Sequence, residues 1–273
     1  MCRMLGIVAS EETSFRFCLH EAPRSLSCLS REHPDGWGVA VFDVHQNGWR
    51  LQKQPGRADG DSRFFDAAVT SRGHALIAHV RKRTVGPIGV DNTHPFRRGR
   101  WIFAHNGTID DVDALRAQTS AVRLAEIVGT TDSELFFAYL LTFLDASGDG
   151  EGATAAAVET ALLRAVRALS ASPALGAANF LLSNGEDLYA FRWGRSLFSL
   201  ERKPGDEVRE SRRSPETGAV VDTPWTSGRH AVLIASEAMT DEPWLAVEEG
   251  TLLSVRRRPV PTMRVLQSRV ASA

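Results

Sequence analysis

The second residue of the chain is a cysteine that could act as a nucleophile. Cys2 follows Met1, so removal of the initiator methionine would leave an α-amine and a thiol on the same residue. The nucleophilic form is the thiolate, with an unperturbed pKa of ~8.5, and an α-amine of pKa ~7.7–8.0 can serve as its base near neutral pH. Initiator removal requires a small second residue, and cysteine qualifies. Taken alone, Cys2 is more often an ordinary residue beside a start codon, so the rest of the chain must decide.

Two apolar runs of strand length each lead into polar residues. The run at 75–80 is followed by Arg81 and Thr84, and the run at 101–105 is followed by Asn106 and Gly107. A binding pocket typically joins an apolar wall to a few fixed polar groups. The polar residues that follow the two runs are expected to lie in loops, and the two loops are predicted to contribute to one site.

Asp132 precedes an apolar run that is predicted to be a helix. Thr131 and Glu134 have the spacing of a capping box, and a carboxylate at a helix start is stabilised by the helix dipole. Asp132 could also hold the ammonium group of a substrate. The two roles are compatible.

The histidines give no recognisable zinc spacing. His79 and His105 fall inside the apolar runs, where a hydrogen-bonded core histidine is the expected state. His94 lies in the segment Asn-Thr-His-Pro-Phe at 92–96. It could touch a ligand, although a histidine beside proline more often orders its loop by hydrogen bonding. We expect neither a metal nor a cofactor.

The composition is that of a soluble globular protein. Hydrophobic residues make up 43% of the 273 residues and charged residues 24%, and the net charge of −1 gives no electrostatic reason to expect nucleic acid or a membrane as partner. The chain lacks the pattern of a signal peptide and any run of ~18 apolar residues. Three cysteines without a CxxC pair favour a reduced, cytoplasmic setting; they are Cys2, Cys18 and Cys28.

Periodicity predicts strands before and after a central pair of helices. The predicted strands are 3–9, 39–42, 75–80, 101–105, 179–182, 188–192, 231–235 and 252–255, and the predicted helices are 62–70, 121–128, 135–141 and 154–170, with part of 14–29. Turns are expected at 33–38, 45–48 and 184–185, a flexible connection at 148–152, an exposed loop at 201–218 and a solvated basic run at 256–258. This order indicates a mixed α/β or α+β sandwich.

The motifs, taken together and in order, resemble a known family. The chain resembles the glutaminase domain of class II glutamine amidotransferases, which are N-terminal-nucleophile hydrolases. The resemblance lies in Cys2 and in the segments 78–81, 92–96, 105–107 and 131–134. The opening Met-Cys-Arg and the turn Asp-Gly-Trp-Gly at 35–38 resemble the small stand-alone members. The resemblance implies an α+β fold, a four-layer αββα sandwich, with residues 1–273 forming one domain after removal of Met1.

The resemblance also implies a role for each candidate residue. Cys2 would be the nucleophile, with its own α-amine as base. The side-chain amide of Asn106 and the backbone N–H of Gly107 would form the oxyanion hole. Arg81, assisted by Thr84, would bind the α-carboxylate of a γ-glutamyl group. The remaining candidates are Asp132 for the α-ammonium group and His94 as a further substrate contact.

Three functions are compatible with these residues. The leading hypothesis is a γ-glutamyl amidohydrolase similar to enzymes of ergothioneine synthesis or glutathione breakdown, with a small γ-glutamyl molecule as substrate. A second is a glutaminase subunit that supplies ammonia to a separate partner synthase. A third is an inactive γ-glutamyl-binding regulatory module, which would follow if Met1 stays attached. The sequence leaves open whether the chain forms a homo-oligomer.

Overall fold

Two antiparallel sheets form the centre of the structure. The computed structural model describes residues 2–148, 154–172, 174–204, 206 and 229–267. Its strands are β1 (Arg3–Ser14), β2 (Gly36–Asp43), β3 (Gly48–Gln54), β4 (Arg72–Arg81), β5 (Phe96–Arg98), β6 (Trp101–Ile109), β7 (Gly176–Ser183), β8 (Asp187–Phe191), β9 (Phe198–Arg202), β10 (Ala231–Ala235), β11 (Leu245–Ala246), β12 (Leu252–Arg256) and β13 (Thr262–Gln267). One sheet has the order β11-β9-β10-β1-β4-β2-β3 and the other β13-β12-β8-β7-β6-β5.

Helices cover the outer face of each sheet. They are a π-helix (Phe17–Glu21), α1 (Leu26–Leu29), α2 (Ser62–Thr70), a 3-10 helix (Val90–Asn92), α3 (Val112–Ala117), α4 (Ala121–Ala125), α5 (Asp132–Ala146) and α6 (Ala155–Ser170). The π-helix, α1 and α2 share an apolar cluster with the seven-stranded sheet, while α5 and α6 share another with the six-stranded sheet. No helix in the described ranges is long and apolar enough to cross a membrane.

A third apolar cluster fills the space between the sheets. In β1, Met4 and Val8 belong to this inner cluster, whereas Leu5 and Ile7 belong to the outer cluster under the π-helix. Alternate residues of a strand point to opposite faces of its sheet, so β1 packs on both sides. The order of layers is helix, sheet, sheet, helix, which confirms the predicted α+β sandwich.

Several predicted elements are confirmed with different bounds. The predicted helix 154–170 is α6, and its apolar stripe is buried as expected. The predicted strand 3–9 extends to Ser14, the predicted helix 121–128 ends at Ala125, and the predicted helix 135–141 extends from Asp132 to Ala146. Within 14–29 the chain forms the π-helix and the four-residue α1. The turns at 45–48 and 184–185 connect β2 to β3 and β7 to β8, with Asn47 at a φ of 47° and Gly185 at 94°.

Two predictions need correction. The basic run is not uniformly solvated, because Arg257 is 4% exposed and pairs with Glu186. The predicted loop 201–218 begins inside β9, which ends at Arg202. Most of that loop, and residues 149–152 of the predicted connection, lie outside the described residues.

Candidate active site

Cys2 lies at the start of the central strand of the seven-stranded sheet. It directly precedes β1, which pairs with β10 on one side and β4 on the other. Its Sγ lies 3.4 Å from both the backbone nitrogen and the carbonyl oxygen of Lys82, the residue after β4. Burial raises the pKa of the thiol, and the Lys82 N–H and the charge of Arg81 oppose that shift. A thiol in this setting needs a base before it can attack.

Arg81 ends β4 beside Cys2. The pairing of Val80 with Arg3 brings the end of β4 next to the start of β1. The Arg81 side chain is almost completely buried. Its guanidinium donates to the carbonyl oxygens of Val85 (2.8 Å) and Pro87 (3.0 Å). Arg81 therefore fixes the loop that follows it.

The turn at 33–38 braces the same loop. The N–H of Asp35 donates to the Arg81 carbonyl at 3.0 Å, and its carboxylate accepts the N–H of Arg83 at 2.7 Å. Further along the loop, Thr84 is exposed, and its hydroxyl lies 3.4 Å from that of Thr108 in β6. The loop thus reaches from the first sheet to the second.

Asn106 and Gly107 lie in β6, on the second sheet. Asn106 is 3% exposed; its amide nitrogen donates to Ser236 Oγ at 3.3 Å, and its amide oxygen has no partner among the described residues. A Cβ at Gly107 would lie 1.9 Å from the carbonyl oxygen of Ala177, so no larger residue fits without a shift of the backbone.

The backbone N–H of Gly107 points away from β7. Ala178 faces Gly107 across the ladder but donates its own N–H to Trp193. Facing residues of an antiparallel pair exchange both hydrogen bonds or neither. The Gly107 N–H therefore lies on the other edge of β6, where β5 pairs only with Trp101–Phe103, and is available to a bound molecule.

Asp132 lies at the same edge. As the first residue of α5 it follows Thr131, whose hydroxyl caps the helix by accepting the N–H of Glu134 at 3.3 Å. Asp132 is 7% exposed, and its carboxylate accepts the N–H of Ile109 at 2.8 Å. Ile109 is two residues beyond Gly107, so both N–H groups face the same side of β6.

Residues from both sheets therefore meet at one place. The charges of Arg81 and Asp132 both act on the pKa of Cys2, in opposite directions. Ser236 links the two sheets, because its hydroxyl accepts both the N–H of Met4 in β1 and the amide of Asn106. A thiol, two N–H donors, a cation and an anion thus lie near one another, and these are the groups that acyl transfer from a zwitterionic substrate would use.

His94 is not part of this group. Its ring is 3% exposed and packs 4.3 Å from the ring of His79 and 4.5 Å from that of Phe96. Neither ring nitrogen has a partner in the described part of the chain, so the prediction that His94 orders its loop by hydrogen bonding is wrong. Burial lowers its pKa well below the usual value and keeps the ring neutral.

The other two core histidines differ in how far they are hydrogen-bonded. His105 is satisfied as predicted, with Ser133 Oγ at 2.9 Å and the Ala177 carbonyl at 3.0 Å. His79 is satisfied at one nitrogen, 3.2 Å from the His105 carbonyl, and its Nδ1 has no partner. Among the described residues, no three His, Cys, Asp or Glu side chains are placed to hold a metal ion together.

Comparison with known proteins identifies the family. The family model for class II glutamine amidotransferases matches residues 1–271. The chain belongs to this family. It is accordingly an enzyme of the class II glutamine amidotransferase type, an amidohydrolase.

Relatives of similar length support the assignment to the class II glutamine amidotransferases. The chain is 32% identical over 252 residues to the gamma-glutamyl-hercynylcysteine sulfoxide hydrolase of Mycobacterium tuberculosis, covering 88% of this chain and 95% of that protein. It is 29% identical over 227 residues to the hydrolase of the same name from Mycolicibacterium smegmatis, covering 81% and 78%.

Solved structures of amidotransferases share the fold. The crystal structure of a predicted glutamine amidotransferase from Pseudomonas aeruginosa matches with a TM-score of 0.61 at 25% identity, covering 97% of this chain and 99% of that one. The phosphoribosylpyrophosphate amidotransferase of Bacillus subtilis matches with a TM-score of 0.58 at 18% identity, covering 97% of this chain and 49% of that one. The latter likeness concerns the fold alone.

Sequence reasoning missed two features of this amidotransferase site. It gave no role to Lys82, whose backbone contacts the Cys2 sulfur, or to Ser236, which contacts both β1 and Asn106. Local spacing carries no information on the contact between Ser236 and Asn106, which are 130 residues apart in the chain.

Proposed function

We propose that this chain hydrolyses a γ-glutamyl amide bond through a thioester on Cys2, releasing glutamate and an amine. The observation that carries the proposal is that the charges of Arg81 and Asp132 act on Cys2, while Ser236 joins the strand that follows Cys2 to Asn106, next to Gly107. The names of the two mycobacterial relatives, both γ-glutamyl hydrolases, favour a γ-glutamyl amine over glutamine as substrate.

The chemistry begins with removal of Met1, which creates the free α-amine of Cys2. The amine takes the thiol proton, and Sγ attacks the γ-carbonyl carbon. This step is needed because burial raises the pKa of the thiol, so little thiolate forms without a base. The protonated amine then gives its proton to the departing nitrogen, and the C–N bond breaks to leave a thioester.

Water completes the reaction. It attacks the thioester carbon and gives a proton to the α-amine, which returns the proton to sulfur as glutamate leaves. In both halves the negative charge on the carbonyl oxygen is held by the Asn106 amide and the Gly107 N–H. Each donor of this kind is worth roughly 10²–10³ in rate.

The substrate is selected by its α-amino acid end. The guanidinium of Arg81 has five N–H donors and uses two on the carbonyls of Val85 and Pro87, so others remain for an α-carboxylate. Thr84 lies in the same loop and assists. Asp132 pairs with the α-ammonium group through the carboxylate oxygen that does not accept from Ile109. Together the two charges favour a free γ-glutamyl group over an internal peptide residue.

The setting proposed for this reaction is a single domain in the reduced cytoplasm. The three cysteines are free thiols in the described structure. Cys2 must stay reduced to act, which a cytoplasmic thiol pool ensures.

The test is glutamate release from a panel of γ-glutamyl amines and from glutamine. We expect release from an amine to exceed release from glutamine, and Cys2→Ala to abolish it while the protein stays folded. Cys28→Ala is the matched control, since Cys28 is also a partly buried thiol, in α1, and has no part in the proposed reaction. Release from glutamine alone would favour the ammonia-supplying subunit, and no release from protein that lacks Met1 would favour the inactive binding module.

A further inference from the structure

Ser236 follows β10 and contacts both β1, the strand after Cys2, and β6, the strand that contains Asn106. It is 3% exposed, its N–H donates to the Met4 carbonyl at 3.1 Å, and its hydroxyl accepts the Met4 N–H at 3.0 Å. The same hydroxyl accepts the Asn106 amide at 3.3 Å and lies 3.4 Å from the Met4 carbonyl as a donor. A hydroxyl has one donor and two acceptor positions, and here all three are used.

The contact with Ser236 orients the Asn106 amide. The amide nitrogen carries two hydrogens, and the one bound to Ser236 leaves the other for the substrate oxygen. Since the Asn106 oxygen has no partner in the described part of the chain, Ser236 provides the hydrogen bond that fixes the rotation of this buried side chain.

Glu237 is connected through Arg3 to the backbone of Cys2. One carboxylate oxygen accepts Arg3 Nε at 2.8 Å, and the other accepts Arg24 at 2.6 Å and 2.9 Å. Arg3 in turn donates through Nη1 to the carbonyl oxygen of Cys2 at 3.0 Å. The Glu237 side chain is 17% exposed, so this ion pair is well sheltered.

The restraint on the Cys2 carbonyl matters because of its position in the chain. After removal of Met1, Cys2 has no preceding peptide bond, and it lies just outside β1. Rotation about its Cα–C bond would swing the α-amine and the thiol together away from the oxyanion donors on the other sheet. A carbonyl held by Arg3 limits that rotation.

We propose that Ser236 and Glu237 form a positioning pair for the reaction inferred above. Ser236 sets the Asn106 amide, and Glu237, through Arg3, sets the backbone of Cys2. Because the two residues are adjacent at the end of β10, they fix the nucleophile on one sheet relative to the oxyanion donor on the other. This inference rests on the proposed function, since it assigns Cys2 and Asn106 their reacting roles.

The test for Ser236 is a double-mutant cycle with Asn106. We expect Ser236→Ala to lower kcat roughly 10-fold or more while leaving KM nearly unchanged, and not to exceed the ~10²–10³-fold cost of losing an oxyanion donor. In the Asn106→Ala background the same change should have little further effect on kcat, because the group that it positions is gone.

The matched control for this cycle is Ser183→Ala. Ser183 is likewise buried, at 1% exposed, and its hydroxyl makes two hydrogen bonds, with Asp187 and Gly185, at the turn that connects β7 to β8. It should lose stability without a change in kcat. Equal effects of the two alanine variants on kcat, or an undiminished effect of Ser236→Ala without Asn106, would overturn the role of Ser236.

The test for Glu237 compares Glu237→Gln with Arg24→Ala. The glutamine side chain would keep the shape of glutamate but lose its charge, which weakens the bond to Arg3. We expect kcat to fall roughly 10–100-fold, as for a misplaced reacting group, with KM unchanged. Arg24 contacts Glu237 without contacting Cys2, so its loss should leave kcat near the wild-type value. A Glu237→Gln variant with normal kcat would contradict the proposal.

A structural readout separates this inference from the proposed function. In a crystal structure of Ser236→Ala we expect the Asn106 amide to leave its wild-type orientation, and in Glu237→Gln the Arg3 contact to the Cys2 carbonyl to be lost. If the wild-type enzyme releases no glutamate from any γ-glutamyl compound, the proposed function fails, while these structures still report on the pair. Unchanged Asn106 and Cys2 backbones in the two variants would overturn the positioning role.

Discussion

Arg81 combines a structural task with the chemical task that the proposed reaction assigns to it. Its guanidinium holds the carbonyls of Val85 and Pro87 and is buried beside Cys2. The planar fork has donors on two sides, so it can shape the loop with one edge and present the other to a carboxylate. A lysine could not do both, because its ammonium is a single point on a flexible stem.

Arg81→Lys should therefore weaken substrate binding more than it slows the chemical step. We expect KM to rise roughly tenfold or more, because losing a hydrogen bond to a charged group costs about 1.5–3 kcal/mol. Steady-state kinetics with the best γ-glutamyl amine measures the split. The control is Arg202→Lys, since Arg202 is also buried but pairs with Glu242 at the far end of β9 and should leave KM unchanged. Normal KM in Arg81→Lys would restrict Arg81 to the structural task.

Single residues could be predicted from the sequence where their chemistry was unusual for their position. A cysteine after the initiator, an arginine after a buried strand and Asn-Gly after another are visible in the chain itself. The buried position of Arg257 and the enclosed ring of His94 were not predicted. Both depend on which distant side chains pack around them, and no local spacing reports that.

At the scale of elements, β6 is the strand on which the donor side of the site depends. Its residue Gly107 lies against β7, where an added Cβ would meet the Ala177 carbonyl at 1.9 Å. The register of this pairing leaves the Gly107 N–H at the other edge of β6, two residues from the N–H that binds Asp132. Any residue larger than glycine would force β6 and β7 apart.

Gly107→Ala should lower both stability and kcat. Forcing extra atoms into a packed interior costs about 1–3 kcal/mol, and the shifted N–H would no longer meet the substrate oxygen. Urea unfolding and steady-state kinetics measure the two effects. The control is Gly48→Ala in β3, where an added Cβ would lie an ordinary 3.6 Å from the carbonyl oxygen of Gln46. A Gly107→Ala variant with wild-type kcat would remove the Gly107 N–H from the oxyanion hole.

Element prediction succeeded where one periodicity decided the answer. Helix α6 has one apolar stripe, and the bounds of the helix were predicted to within a residue. The start of α5 was only partly predicted, because Thr131 caps the helix but Glu134 turns instead to Arg98 and to the N–H groups of Val128 and Gly129. A capping box was expected from spacing alone, and a tertiary ion pair changed the partner.

At the scale of the whole molecule, four histidines of the described structure are buried and have lowered pKa values: His33, His79, His94 and His105. Burial lowers the pKa of His79 to about 3 and that of His94 well below its usual value, and it also lowers the pKa of His33 and of His105. In the unfolded chain each has a pKa near ~6.5. Below that pH the unfolded state binds more protons than the native state, so stability must fall as the pH falls.

The free energy of unfolding should therefore decrease between pH 7.5 and pH 5.5. Each such histidine contributes a slope that approaches ~1.4 kcal/mol per pH unit below pH 6.5. The range ends at pH 5.5 because Asp187, whose pKa is raised by burial, acts in the opposite sense at lower pH. Urea unfolding at several pH values gives the slope.

A pair of variants tests whether the slope comes from the buried rings. His94→Leu should reduce the slope, since neither His94 nitrogen has a partner in the described structure and leucine cannot titrate. His45→Leu, which removes an exposed histidine, should leave it unchanged. An equal slope in wild type and His94→Leu would contradict the assignment.

The architecture as a whole was predicted through the resemblance of ordered motifs. Strand and helix order alone indicated no more than a sandwich, because periodicity shows that a strand is buried but not which sheet it joins. The pairing of β1 between β10 and β4, strands that are remote in sequence, is a consequence of long-range packing. That pairing is what brings Ser236 to Met4, in the strand that follows Cys2.

The most direct test of the account is mass spectrometry of the enzyme quenched in acid during turnover of a γ-glutamyl amine. We expect intact protein without Met1, and a fraction that carries one glutamyl residue on the peptide that begins with Cys2. The adduct should be absent in Cys2→Ala. Turnover by protein that retains Met1, or an adduct on Cys18 or Cys28, would contradict the assignment of Cys2 as the N-terminal nucleophile.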